Sequence, residues 1–303
     1  MVDVADTRQA YAACERLARV HSENFPVASL LLPERMRPHV AAVYAFARVA
    51  DDFADEGHLP EAERLRLLDG WERRLHEAAA STAPGVPAGP GEPPETVDIF
   101  RALGESIRAL PLPQTYFEAL LSAFRQDVTT TRYPNWDELL RYCQRSANPI
   151  GRLVLRIGGY DDRSLDASSD ALCAALQLTN FWQDLKVDFD RGRIYLPEDE
   201  RQRHGAQEID LASGSITVEW QRALFAVAAR TRLLFDEGRP VCDGVRGRLR
   251  YELRATWLGG IRILDRLEAA SFDVVRRRPT LGFADVLRIA PFVFAWRPTA
   301  ASS

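Results

Sequence analysis

Between residues 175 and 197 the chain reads ALQLTNFWQDLKVDFDRGRIYLP, and no other segment restricts the fold as much. Gln177, Asn180, Asp184 and Asp188 recur at i, i+3, i+7 and i+11, which is one polar stripe at helical spacing. Leu176, Leu178, Phe181 and Leu185 fill much of the remaining circumference. A helix that is apolar around most of its surface is buried, and polar groups on a buried helix must find partners. The chain must therefore enclose this helix and give its stripe something to bind. That partner is either a second helix, in a polar seam, or an ion and its ligand.

The rest of the chain has the same period. Helices are predicted over 6–20, 34–55, 60–80, 95–109, 112–130, 135–146, 149–158, 166–190, 217–236, 240–270 and 281–290. Val/Ile/Thr runs with strict alternation are missing, so the expected class is all-α. Residues 78–95, AAASTAPGVPAGPGEPPE, are predicted to be a flexible loop inside a single domain spanning 1–303. An apolar content of 46% is enough for a large core. A net charge of −4 and a pI near 5.8 argue against a nucleic-acid partner. Cys14, Cys143, Cys173 and Cys242 form no ligand pattern, which suits a reducing compartment. The N-terminal residues lack the apolar core of a signal peptide, and no run reaches the roughly 18 apolar residues of a membrane span. A cytoplasmic location is expected, with membrane-surface contact left open.

A second acidic stripe lies in AAVYAFARVADDFADEG, residues 41–57. Tyr44, Arg48, Asp51 and Asp55 share one helical face, and Asp52 falls about 100° around from Asp51. Asp residues near a helix C-terminus oppose the helix dipole, so a merely solvated acidic end carries a cost. If the two stripes face across a cavity, four carboxylates converge. Hard oxygen donors of this kind suit Mg²⁺, which completes its shell with water and substrate phosphate oxygens. A diphosphate bridged in that way becomes a good leaving group. Arg48, Lys186 (the single lysine) and Arg193 could add positive charge to the same oxygens, or could be plain surface charges. A carbocation left behind would need an apolar, aromatic pocket, for which Tyr44 and Tyr142 are the favoured lining residues.

With these residues in view, the chain resembles the squalene/phytoene synthase family from about residue 8 to 275. His21-Ser22-Glu23-Asn24-Phe25 is similar to the family's HSxxF opening, which helps hold a substrate diphosphate. Arg48 with Asp51-Asp52-Phe53-Ala54-Asp55 is similar to its first aspartate motif, and Tyr142 to its tyrosine near the reacting centre. The stripe Gln177–Asp188, followed by Arg193-Ile194-Tyr195, is similar to its second motif. The resemblance implies an isoprenoid-synthase helical bundle around a central apolar cavity, Mg²⁺ and an isoprenoid diphosphate substrate. Asp51, Asp55, Asp184 and Asp188 would be its metal ligands. Contact with enzymes before and after it in squalene synthesis would also be implied.

His21 to Ser29, Ser146 to Gly151 and Gly259-Gly260 resemble the hopanoid-pathway branch of that family. Its members convert presqualene diphosphate and water to hydroxysqualene and diphosphate. Asn148-Pro149 and Gly260 depart from ordinary members; the expectation is that they open polar space for one water, and a simple helix break is the bland alternative. The rival within the family condenses two farnesyl or geranylgeranyl diphosphates to presqualene diphosphate, squalene or phytoene. A rival of another class is a non-catalytic helical assembly factor. Arg276-Arg277-Arg278, ahead of an apolar C-terminal stretch, suggests either a membrane-surface contact or a buried last helix.

Overall fold

The computed structural model describes residues 4–20, 31–55, 59–80, 87–276 and 278–297. Among these the regular structure is helical: α1 (Val4–Val20), α2 (Arg37–Asp55), α3 (Glu61–Ala80), α4 (Thr96–Ala109), α5 (Gln114–Thr129), α6 (Trp136–Ser146), α7 (Asn148–Ile157), α8 (Arg163–Asp190), α9 (Glu198–His204), α10 (Glu208–Ala212), α11 (Val218–Gly238), α12 (Val241–Gly244), α13 (Gly247–Ala269) and α14 (Phe283–Phe294). The strand-like pairing is one isolated bridge between Arg132 and Ile194. No described helix is long and apolar enough to cross a membrane. The chain divides into two compact units, Met1–Thr129 with Pro149–Asp161, and Thr130–Asn148 with Asp162–Ser303.

In the first unit α2 packs against α1, α3, α4 and α5. Its buried face is rich in small residues, Ala41, Ala42, Ala45, Ala50 and Ala54, so neighbouring helices approach closely. Phe46 meets Phe100 and Phe117 edge to face, and Trp71 meets Phe53 and Phe100 in the same way. The Trp71 indole N–H donates to the Phe46 carbonyl at 3.1 Å. Buried aromatic pairs of this geometry add stability beyond their area alone. The last turn of α2 contains Asp51, Asp52 and Asp55, and Arg64 of α3 donates to its Ala54 carbonyl at 2.8 Å. That guanidinium supplies the positive charge that a helix C-terminus favours.

In the second unit α8 packs on α6, α11, α12 and α13. It begins at Arg163 because Asp162 caps it, its carboxylate accepting from the backbone N–H groups of Ser164 and Leu165. Trp182, fully buried, donates through its indole N–H to Thr231 Oγ1 of α11 at 3.0 Å. Gly238 lets α11 touch α8: a Cβ there would lie 2.6 Å from the Leu172 nitrogen.

Three expectations are corrected. The span 240–270 is not one helix; α12 and α13 are separated at Val245-Arg246, and Gly247 has a φ of +63°. α2 starts at Arg37 rather than 34, because 33–36 form a turn with Met36 N–H bonded to the Pro33 carbonyl. The segment 78–95 is not wholly a loop. Residues 78–80 end α3, and Glu92 is gripped by Arg74 at 2.7 and 2.9 Å while accepting from the Gly89 N–H.

Candidate active site

The first acidic stripe forms as its spacing predicts. Tyr44, Arg48, Asp51 and Asp55 lie one turn apart on α2 and all are half-buried. Arg48 is held mainly by Asp52, at 2.5 and 3.3 Å, and lies 3.9 Å from Asp51. Burial works against the Arg48 charge, but the Asp52 and Asp51 carboxylates outweigh it and raise its pKa. All three side chains are more than a third exposed, so these pairs are worth at most about 1 kcal/mol. The guanidinium can therefore turn to a stronger anion at little cost.

The second stripe lies along α8, with Gln177, Asn180, Asp184 and Asp188 half-buried between buried Leu178, Phe181 and Leu185. Asp184 is gripped by Arg278, which donates to one carboxylate oxygen through Nε and to the other through Nη2 at 3.0 Å. This forked pair is the strongest geometry available to a carboxylate. Gln183 is also drawn to this strand of chain, donating to the Pro279 carbonyl at 2.5 Å. The sequence offers Arg278 only as part of a basic cluster before a membrane-contacting or buried last helix. Nothing in its local spacing pointed to Asp184, which lies 94 residues earlier.

Lys186 does not join the stripe. Two residues past Asp184, it sits about 200° around the helix. Its Nζ is held by both oxygens of Asp190, at 2.5 and 2.6 Å. In this structure the basic group that meets the stripe is the guanidinium of Arg278.

Beside the stripe stands a cluster of four buried aromatic rings, Tyr133, Tyr142, Phe181 and Tyr195. Phe181 stacks on Tyr195 with ring centres 3.7 Å apart, and Tyr133 on Tyr195 at 5.8 Å. Tyr142, from α6, lies 5.4 Å from Tyr133 and about equally far from the other two rings, at 6.0 and 6.1 Å. The turn after α8 makes this possible. Gly192 takes a φ of +83°, and the Arg193 N–H returns to the Asp188 carbonyl at 2.8 Å. Ile194 then bonds to the Thr131 carbonyl, bringing Tyr195 alongside Tyr133. Arg132 fixes this junction by donating to Glu208 at 2.7 and 2.9 Å and to the Gly192 carbonyl at 2.6 Å. Its hydrogen bonds hold the Glu208 carboxyl below the usual range. Tyr133 was missed because it lies in a connection without periodicity.

At the α6–α7 junction Asn148 is buried, and its Oδ1 has no hydrogen-bond partner among the described residues; Ser146 Oγ is in the same position. Gly260, expected to open polar space, does not. A Cβ at Gly260 would lie 2.6 Å from Leu176 Cδ2 and 2.7 Å from the Phe235 ring, so the space is already filled by apolar atoms. His21, Ser22 and Asn24 lie outside the described residues.

The family model for squalene/phytoene synthase matches residues 18–285. The chain belongs to the squalene/phytoene synthase family. It is 38% identical over 234 residues to a hydroxysqualene synthase of Rhodopseudomonas palustris, covering 76% of this chain and 74% of that protein. A solved structure of squalene synthase HpnC from Alicyclobacillus acidocaldarius superposes with a TM-score of 0.77 at 37% identity, covering 88% of this chain and 96% of that one. A dehydrosqualene synthase solved with a ligand gives a TM-score of 0.83 at 21% identity, over 96% and 98% of the two chains, a likeness of fold alone. As a member of the family the chain is an enzyme, all-α, of the class that acts on isoprenoid diphosphates.

Proposed function

We propose that this chain converts presqualene diphosphate and water to hydroxysqualene and diphosphate with Mg²⁺, in squalene and hopanoid biosynthesis. What carries the reading is the similarity to a protein of that name together with two intact acidic stripes, one on α2 and one on α8. Among the described residues no three His, Cys, Asp or Glu side chains gather into a self-sufficient metal site. The proposal therefore relies on substrate to complete the site, since Mg²⁺ uses few protein carboxylates at a time and takes the rest of its shell from water and phosphate. Asp51 and Asp55 on one helix, and Asp184 and Asp188 on the other, would hold it. When bound, the ion neutralises charge on the departing diphosphate. The reading requires both stripes to share one diphosphate.

The remaining roles belong to the protein's own side chains. Arg48, Arg193 and Arg278 would orient the diphosphate, with Arg278 turning from Asp184 to a phosphate oxygen. His21, Ser22, Asn24, Gln177 and Asn180 would add hydrogen bonds to it. The C–O bond breaks with its electron pair leaving on the diphosphate. The carbocation would be shielded from bulk water by Tyr142, Tyr133, Phe181 and Tyr195, and Tyr44 would also line its pocket. Each aromatic face offers on the order of 1–2 kcal/mol to a desolvated cation. One water then adds its oxygen to the cation and loses a proton.

Asn148 is the residue proposed to hold that water. A buried amide oxygen without a partner costs about 1–3 kcal/mol, and a water is the partner that removes the cost. Asn148→Ala should lower the alcohol fraction severalfold, with proton-loss alkenes rising in its place. An unchanged alcohol product by gas chromatography and mass spectrometry would remove Asn148 from this role.

The overall test is product identification from presqualene diphosphate and Mg²⁺ without NADPH. Hydroxysqualene and pyrophosphate are expected, and chelation should stop both. The description of the Alicyclobacillus relative as a squalene synthase favours a second reading, condensation of two farnesyl diphosphates. Turnover of farnesyl diphosphate with none of presqualene diphosphate would establish that reading instead.

A further inference from the structure

The last helix, α14, is attached firmly but leaves most of its apolar surface uncovered. Its inner stripe is Asp285, Ile289 and Val293, spaced four apart. Asp285, 1% exposed, is paired with Arg262 and Arg266 of α13 at 3.2 and 2.8 Å and accepts from the Gly282 N–H. At the other end Trp296 lies edge-on to Trp257, with the guanidinium groups of Arg239 and Arg254 over its ring. Arg254 also donates to the Val293 carbonyl and Arg239 to that of Arg297. The helix is thus held at both ends in one orientation.

In that orientation Val286, Leu287, Phe292 and Phe294 are 57%, 59%, 62% and 66% exposed, and Pro291 is exposed among them. Leu287, Pro291 and Phe294 share one outward arc of the helix, with Arg288 beside them and Phe292 just beyond it, and an exposed apolar surface of this kind marks a contact surface. The charge around it identifies the occupant. Residues 276–297 contain five arginines and one aspartate, a net +4 in a chain of net −4. The aspartate is the buried Asp285, whereas Arg276, Arg288 and Arg297 are exposed; Arg276 also pairs with Asp273 at 3.3 Å, which leaves the stretch net positive by three when that residue is counted. An acidic protein with one basic, apolar end is suited to a surface that is both negative and greasy. Twelve residues cannot span a bilayer, but an apolar helix face bordered by arginines can lie in the headgroup layer.

We infer that α14 docks the protein on an anionic lipid bilayer, with Leu287, Pro291, Phe292 and Phe294 in the interface and Arg276, Arg288 and Arg297 on lipid phosphates. The inference rests on the helix alone and stands or falls apart from the reaction assigned above. The test is co-sedimentation of the full chain with sucrose-loaded vesicles of phosphatidylcholine, with or without one quarter phosphatidylglycerol. Binding is expected on the anionic vesicles, reduced at least fivefold without phosphatidylglycerol or in 0.5 M salt. Leu287→Glu with Phe292→Glu should lower it at least tenfold with the circular dichroism melt unchanged. If the double variant does not fold, Leu287→Gln alone should still lower binding about threefold. Wild-type protein that sediments with neither vesicle overturns the proposal, as do variants that bind like the wild type. Concentration-dependent self-association abolished by the same substitutions, with no vesicle binding, would make the face a contact between copies and also overturn it.

Discussion

Asp51→Ala and Asp184→Ala should each lower turnover of the diphosphate substrate about 10³-fold, about 4 kcal/mol on the barrier, while the protein stays folded. The two substitutions differ in their effect on stability. Asp51 lies in the last turn of α2, where its charge opposes the helix dipole and adds to those of Asp52 and Asp55. Its removal should leave stability unchanged or raise it by about 0.5 kcal/mol. Removing Asp184 strips Arg278 of its forked partner. Both side chains remain partly exposed, at 34% and 21%, so water takes over and the loss should stay near 1 kcal/mol. Asp190→Ala, whose partner among the described residues is Lys186, off the acidic stripe of α8, is the control and should retain turnover within twofold. Pyrophosphate release and urea melts on the same preparations check all three. Full activity in Asp51→Ala or Asp184→Ala would refute the metal-holding role. A carboxylate removed with gain of stability and loss of activity would identify it as kept for chemistry rather than for folding.

What the amino-acid sequence made legible was whatever repeats within a helix. The stripes on α2 and α8 depend only on spacing along one element, and both appear where the period puts them. Helix starts were clear where a chemical stop exists, as at Pro149, which sits in the first turn of α7, where a missing N–H is tolerated. α9 and α10 were missed because seven and five residues are too few to show a period. Caps were nevertheless present: Gly205 closes α9 with a φ of +75°, and Gln207 with Asp210 boxes α10. The grip of Arg278 on Asp184 and the stacking of Tyr133 on Tyr195 could not be read in advance. Each joins residues more than 60 positions apart, and no local preference of either partner names the other. Lys186 shows the opposite case. It lies inside the motif in sequence but on a different arc of the helix from the stripe, where it pairs with Asp190.

Gly260→Tyr should unfold the second unit or cost it more than about 4 kcal/mol, and Gly260→Ala should cost about 1–2 kcal/mol. The decisive fact is where a side chain would go. Even the first carbon would lie 2.6 Å from Leu176 Cδ2 and 2.7 Å from two Phe235 ring carbons. Leu176 can rotate away, but Phe235 cannot. It is fully buried, meets Trp257 edge to face, and its own carbonyl takes the Trp257 indole N–H at 2.8 Å. Relief must then come from separating α13 from α11, which exposes apolar surface along both helices. Alanine recovers up to about 1 kcal/mol through its better helix propensity, which is why its net cost is the smaller. Gly259→Ala supplies the comparison: among the described residues its Cβ would meet Leu281 alone, at 3.3 Å, and that side chain is 42% exposed and can yield. It should therefore be neutral or mildly stabilising in a urea titration. A Gly260→Tyr protein with wild-type stability and an altered product would return Gly260 to the wall of the reaction pocket. Loss of the fold in Gly260→Tyr, with an unchanged product from the milder Gly260→Ala, would place the residue in the packing of α13 on α8 and α11 and leave Asn148 as the residue to test for holding the proposed water.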